Sequence, residues 1–197
     1  MSAVRRRRPT GRGEPTARVL IAGIGNIFLG DDGFGPEVVR RLPHHPDLDV
    51  RVVDYGIRGM HLAYDLLDAW DALVLIDALP DRDAPGTVEV FRAVPEDADT
   101  AQLDAHAMTP AAVFAGVRAL GGALPPTVVV GCQVASVAEG IGLSGPVAAA
   151  VDAAVDAVGR VLADLVSVDG RPGATAQVGA APDCETPPSP ATVRQEE

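Results

Sequence analysis

"RVLIAGIGNIFLGDDGFGPEVVRRL", residues 18–42, decides how this chain is read. An apolar run (18–23) empties into a glycine-rich turn, and "PEVVRRL" (36–42) opens with a proline suited to the first turn of a helix. Strand, tight loop and helix in that order make the opening unit of an α/β sheet. Four further segments rich in β-branched residues follow: "DVRVVDY" (49–55), "ALVLIDA" (72–78), "TVEVFR" (87–92) and "TVVVGCQV" (127–134). Helical patterns lie between most of them. "MHLAYDLLDAW" (60–70) puts Leu62, Leu66 and Leu67 on one face, and "TPAAVFAGVRAL" (109–120) repeats small and apolar residues at helical intervals. Behind Ser144, a candidate N-cap, Val147, Val151, Val155, Val158, Leu162 and Leu165 recur every three or four residues and predict a last helix. "ALVLI" is apolar throughout, as a central strand covered on both faces must be. The gap before "TVEVFR" is too short for a helical crossover, so that strand is expected to be antiparallel or reached by a loop.

The 197 residues, 47% of them hydrophobic, suffice for one well-buried core. The expected organisation is a disordered basic N-terminal tail (1–17), one folded domain (18–166) and a disordered C-terminal tail (167–197) crowded with Gly, Pro, Ala and Thr. No apolar run reaches the roughly 18 residues of a membrane span. The Arg-rich start is followed by "PTGRGEPT" where an export signal would be apolar. A cytoplasmic location is expected, and Cys132 and Cys184 offer no disulfide framework against it. Net charge is −11 although residues 1–17 carry five arginines against one glutamate. A body this acidic suits neither a nucleic-acid backbone nor an anionic membrane, and a monomer is expected.

The glycine loop is not a nucleotide fingerprint. Counted from Gly23 and Gly25, the third glycine position holds Phe28, and a P-loop is excluded because the chain has no lysine. Asp31 and Asp32 would also repel a pyrophosphate, so the loop asks for a cation and no nucleotide cofactor is expected. One aspartate could simply cap the following helix; the second faces solvent or binds a cation. Asp54 and Asp77 close their strands at the same sheet edge, where ligands of open α/β sheets gather, although a strand-ending Asp can equally bond the next turn. Of four histidines, His44 and His45 read as a polar turn and His61 as a helix residue, whereas His106 precedes a helix near that edge. Asp32, Asp77 and His106 can form a three-ligand site with open positions, or be three ordinary loop residues. Nucleophiles are poor: Ser136 and Ser144 lack an elbow motif, and Cys132 lies in an apolar strand.

These residues resemble the hydrogenase maturation endopeptidases, which trim the C-terminal extension of nickel–iron hydrogenase large subunits. "GIGNIFLGDDGFG" (23–35) carries most of the likeness, joined by "DYGIRGM" (54–60), "LIDA" (75–78), "APGTVEVFR" (84–92), the isolated His106 and "EGIGLS" (139–144). The resemblance implies a three-layer α/β/α sandwich on a five-stranded, mostly parallel mixed sheet. It implies an aspartic-type endopeptidase with metal-dependent recognition, whose partner is the large-subunit precursor and whose nickel arrives already installed in that precursor. Carried over residue by residue, Asp32, Asp77 and His106 become metal ligands and catalytic residues. Gly25, Asn26, Asp31, Asp54, Gly56 and Gly59 become the substrate cleft, with the glycines letting the backbone approach the substrate. This chain has Asp32 where many relatives have Glu, and Ile57 where many have Thr. Three other readings use the same residues: a nickel-binding checkpoint that does not cut, a nucleotide-binding domain, and a general metallohydrolase of short peptides.

Overall fold

A computed structural model describes residues 17–46, 48–93 and 110–167. In chain order the elements are β1 (Val19–Ile24), a 3₁₀ turn (Gly30–Gly33), α1 (Phe34–Arg41), β2 (Val50–Gly56), α2 (Gly59–Asp65), β3 (Ala72–Leu79), β4 (Val88–Arg92), α3 (Pro110–Ala119), β5 (Thr127–Gln133) and α4 (Gly145–Ser167). The sheet order is β2-β1-β3-β5-β4, so the "ALVLI" strand is indeed central. The β1–β2, β1–β3 and β3–β5 pairs are parallel and β4 runs antiparallel to β5. The short gap before β4 does lead to an antiparallel strand, but β4 does not lie beside β3. That place is taken by β5, and Gln133 at its end holds the β3–β4 connection, accepting from Arg82 N at 2.9 Å and donating to Glu89 Oε1 at 2.7 Å.

Strand alternation divides the core into two layers. Val19, Ile21, Val74, Ile76, Val130 and Cys132 face one side and pack with Phe34 and Val38 of α1 and with the Val147–Leu162 stripe of α4. Leu20, Ala22, Ile24, Leu73, Leu75 and Val129 face the other and pack with Leu62 and Ala63 of α2 and with Val113, Phe114 and Val117 of α3. The result is a three-layer α/β/α sandwich. Helix α1 stops at Leu42, which turns extended (ψ 136°) ahead of Pro43, as a residue before proline must. Helix α2 ends sooner than the 60–70 pattern suggests: the Trp70 indole N–H donates to Asp65 O at 2.8 Å and folds the chain back there. Leu62 and Leu66 are buried, but Leu67 lies beyond the last helical residue and is exposed.

Candidate active site

The loops behind β1, β2 and β5 meet at the carboxyl edge of the sheet. A bulge between Gly23 and Ile24 opens the β1–β2 ladder, and Gly25 N–H donates to Gly56 O at 3.1 Å. Gly56 has φ +50°, the left-handed turn that lets β2 deliver its carbonyl there. Asn26 organises the next residues, its Oδ1 accepting from Phe28 N at 3.0 Å and its own N–H donating to Asp32 Oδ2 at 2.6 Å. Asp32 is therefore a half-buried carboxylate with one oxygen fixed by the loop backbone; among the described residues its other oxygen accepts no hydrogen bond.

Two glycines of this loop are required by the protein's own packing. A Cβ on Gly35 would lie 2.3 Å from Ile24 O and 2.5 Å from Ile76 O, so the start of α1 rests directly on the ends of β1 and β3. A Cβ on Gly25 would lie 1.9 Å from Asp32 O.

Asp31 also differs from expectation. It caps no helix, since α1 has Gly33 as its N-cap with no side-chain cap bond, and its fully buried carboxylate lies behind the cleft surface rather than on it. Oδ2 accepts from Ala135 N (2.8 Å), Ser136 N (3.0 Å) and Ser144 Oγ (2.9 Å), and Oδ1 accepts from Ser144 N (2.6 Å). Burial alone would raise its pKa, but the backbone donors at Ser144, Ser136 and Ala135 and the Ser144 hydroxyl outweigh burial and hold it below the usual value. Backbone bonds from Gly30 N to Gly140 O and from Gly140 N to Phe28 O complete the tie between the β1 and β5 loops. Because β3 lies between those strands, the joined loops pass over its end, where Asp77 sits. Ser144 stands immediately before α4 as expected, although its hydroxyl is given to Asp31.

Both β2 and β3 run two residues past their aspartates. Asp54 is exposed, and its carbonyl accepts from the Arg58 guanidinium. Gly59 is buried at the start of α2. Asp77 is 7% exposed and bonds the next residue, Ala78 N donating to its Oδ1 at 2.8 Å. Burial pushes its pKa well above the usual carboxylate value; the Ala78 bond pulls the other way, and the charge of Asp32 adds to the rise. The two carboxylates are thus electrostatic neighbours, and among the described residues no cation contributes to the shift at Asp77. Such a donor pair fits a hard or borderline divalent cation, which would relieve both the burial and the repulsion.

His106 lies outside the described residues, and among those described no group of three potential ligands gathers. Strand parity puts Asp77 on the Leu73–Leu75 face, toward α2 and α3. These helices run side by side in one direction: Met60 at the start of α2 lies against Gly116, and Leu67, just past its end, against Gly122. The first turn of α3, four residues after His106, is therefore at the carboxyl edge. Cys132 is buried and free, its thiol pushed up to about 11 by burial and then by the charge of Asp31, so it is no nucleophile. His61 is exposed on α2. Two cavities of about 340 and 290 Å³ open elsewhere, and neither is lined by Asp32 or Asp77.

Removing the Asp77 charge tests this electrostatic picture. A raised folded-state pKa means that the native state holds a proton the unfolded chain has lost, so this group's contribution falls as pH rises above the unfolded value of about 4. Asp77→Asn keeps an acceptor for Ala78 N and should melt higher than the parent at neutral pH without metal, by about 2–4 °C for each kcal/mol relieved. The gap should close toward pH 4; equal melting temperatures at both pH values would contradict it.

The fold and this edge define a three-layer α/β/α protein in which the loop behind β1 and the end of β3 bring two carboxylates, Asp32 and Asp77, near each other. The chain belongs to the hydrogenase maturation protease family, a family of peptidases: the family model HycI, described as hydrogenase maturation protease, matches residues 36–161. It is 32% identical over 146 residues to the Hydrogenase 2 maturation protease of Escherichia coli, covering 72% of this chain and 88% of that one. To the hydrogenase expression/formation protein HupD of Rhizobium leguminosarum it is 29% identical over 164 residues, 80% of this chain and 81% of the relative. Among solved structures, the hydrogenase maturating endopeptidase HybD from E. coli superposes with a TM-score of 0.63 at 31% identity, covering 75% of this chain and 93% of that one. Among the described residues no helix is long and apolar enough to cross a membrane.

Proposed function

We propose that this protein cuts the C-terminal extension from a nickel–iron hydrogenase large-subunit precursor after nickel has been inserted, and that it recognises that nickel through Asp32, Asp77 and His106. The observation that carries the reading is the coupling of Asp32 to the buried Asp77 in a member of this peptidase family. An acid raised by burial, and further by a neighbouring carboxylate, is a poor resting arrangement and a good cation receptor. Nickel presented by the precursor would neutralise the pair, the imidazole of His106 supplying a third donor from the segment that leads into α3. Docking of the cation then orients the scissile peptide at the sheet edge, where water adds across the amide to release a new carboxyl terminus and the extension. Asp54, Gly56 and Gly59 belong to the wall that receives the extension.

The test is incubation of nickel-loaded and nickel-free precursor with the protein and with Asp32→Ala, Asp77→Ala and His106→Ala, read by mass spectrometry. Shortening is expected only for the loaded precursor and only with the unmodified protein, each alanine variant losing a hundredfold or more, on the order of 3 kcal/mol. Equal cutting of nickel-free precursor would end the nickel reading. Stable binding of loaded precursor without any mass change would favour a checkpoint that does not cut.

A further inference from the structure

The loop that carries Asp32, and the two loops bonded to it, also carry apolar side chains that the fold leaves in water. Ile141 is 80% exposed, Phe28 and Ile57 61%, Val137 53% and Ile27 48%. Single exposed apolar residues need no explanation, but these occupy three loops bonded to one another. Gly25 N–H to Gly56 O joins the Ile27–Phe28 loop to Ile57, and Gly140 N–H to Phe28 O joins it to Ile141. The Asp31 carboxylate clamps the segment between, which holds Val137. The side chains are therefore presented on fixed backbone, and ordering that backbone on binding costs little.

We infer that Ile27, Phe28, Ile57, Val137 and Ile141 form the docking surface for an apolar stretch of the precursor polypeptide that flanks its metal, an inference that rests on the processing function proposed above. Charge selects this occupant. The surface borders Asp32 and Asp77, so its complement is an apolar face bearing a cation. A second copy of this chain would bring two acidic pairs together on bodies that each carry a net charge of −11, and like charges so placed disfavour contact. A small ligand would need an enclosing pocket, whereas this surface spreads over the loops of three strands, the reach of a polypeptide interface. The apolar residues supply affinity and the carboxylates supply selection for the loaded precursor.

The experiment uses the full-length protein and nickel-loaded large-subunit precursor with Phe28→Ser, Ile141→Ser and the double variant. Leu120→Ser, exposed at the opposite edge of the sheet, is the control. Binding is read by titration calorimetry and processing by mass. The rim variants should weaken binding and raise KM about tenfold or more, while kcat stays within about twofold and the melting temperature is unchanged. Leu120→Ser should behave as the parent. Unchanged affinity in the double variant would overturn the inference while leaving the processing function standing, and so would a parent dimer that the double variant dissolves with precursor affinity intact. A parent protein that binds loaded precursor through these residues but never shortens it would sink the processing reading and keep the surface; a parent that does not bind it would sink both.

Discussion

Asp31→Ala is expected to destabilise the protein by about 3–5 kcal/mol, although Asp31 touches no ligand in the proposed reaction. Its carboxylate takes four donors, three of them backbone N–H groups of Ala135, Ser136 and Ser144. Alanine leaves those donors to find water or stay unpaired, and hydrogen bonds to a charged group are the strong ones. Asn at this position offers a single acceptor oxygen and turns an NH₂ group toward N–H donors, so Asp31→Asn should lose less than Ala but still measurably. Denaturant melts give the loss. Hydrogen exchange locates it, with the amides of Ala135, Ser136 and Ser144 expected to exchange far faster than those of β3. The folded-state pKa is lowered, so the contribution of this group is present above the unfolded value of about 4 and disappears as pH falls through the folded value. The deficit of the variant should shrink in that acid range. Slow exchange at residues 135–144 in Asp31→Ala would show that the loop holds itself.

Gly25→Ala should cost about 3 kcal/mol or more and abolish processing. Two penalties coincide there. The φ of +131° is open to glycine and closed to an L side chain, and the added methyl would sit 1.9 Å from the carbonyl oxygen of Asp32. Either the loop moves or Asp32 does, and Asp32 is the residue to which the proposed recognition assigns the cation. Gly121→Ala separates strain from collision: φ is +76°, but nothing lies within 4 Å of the new methyl, so only a loss of about 1 kcal/mol is expected. Comparable melting temperatures for the two variants would refute the collision.

What could be read beforehand was what depends on local pattern. The apolar runs at 18–23 and 72–78 became the paired inner strands, and the three-and-four spacing from Val147 to Leu165 became a helix with that stripe facing the sheet. That Asp77 would lie toward the carboxyl edge of the sheet was legible, because an Asp following an apolar run is itself a local signal, although β3 continues to Leu79. The position of β4 was not legible, because it depends on β5 entering from a later part of the chain. Nor was the service of Asp31, whose partners stand 104 to 113 residues away. Adjacent in sequence, Asp31 and Asp32 share a chemistry and differ only in what the distant loop does to each. The packing need of Gly25 and Gly35 was not legible for a related reason: their crowding is by backbone atoms brought in by folding, and no spacing rule reports a carbonyl oxygen. Leu67 was placed on the wrong face because the Trp70 indole ends the helix before a further turn can form.

The insertion of β5 between two strands made earlier bears on how the chain can mature as it leaves the ribosome. Until residue 133 has emerged, β3 and β4 each present a bare edge, and such edges invite misassociation in a nascent polypeptide. Ser144, which anchors Asp31, arrives later still. The loop frame around Asp32 and Asp77 is therefore among the last features to acquire its shape, and a truncated product released before that point would have the carboxylates without that frame.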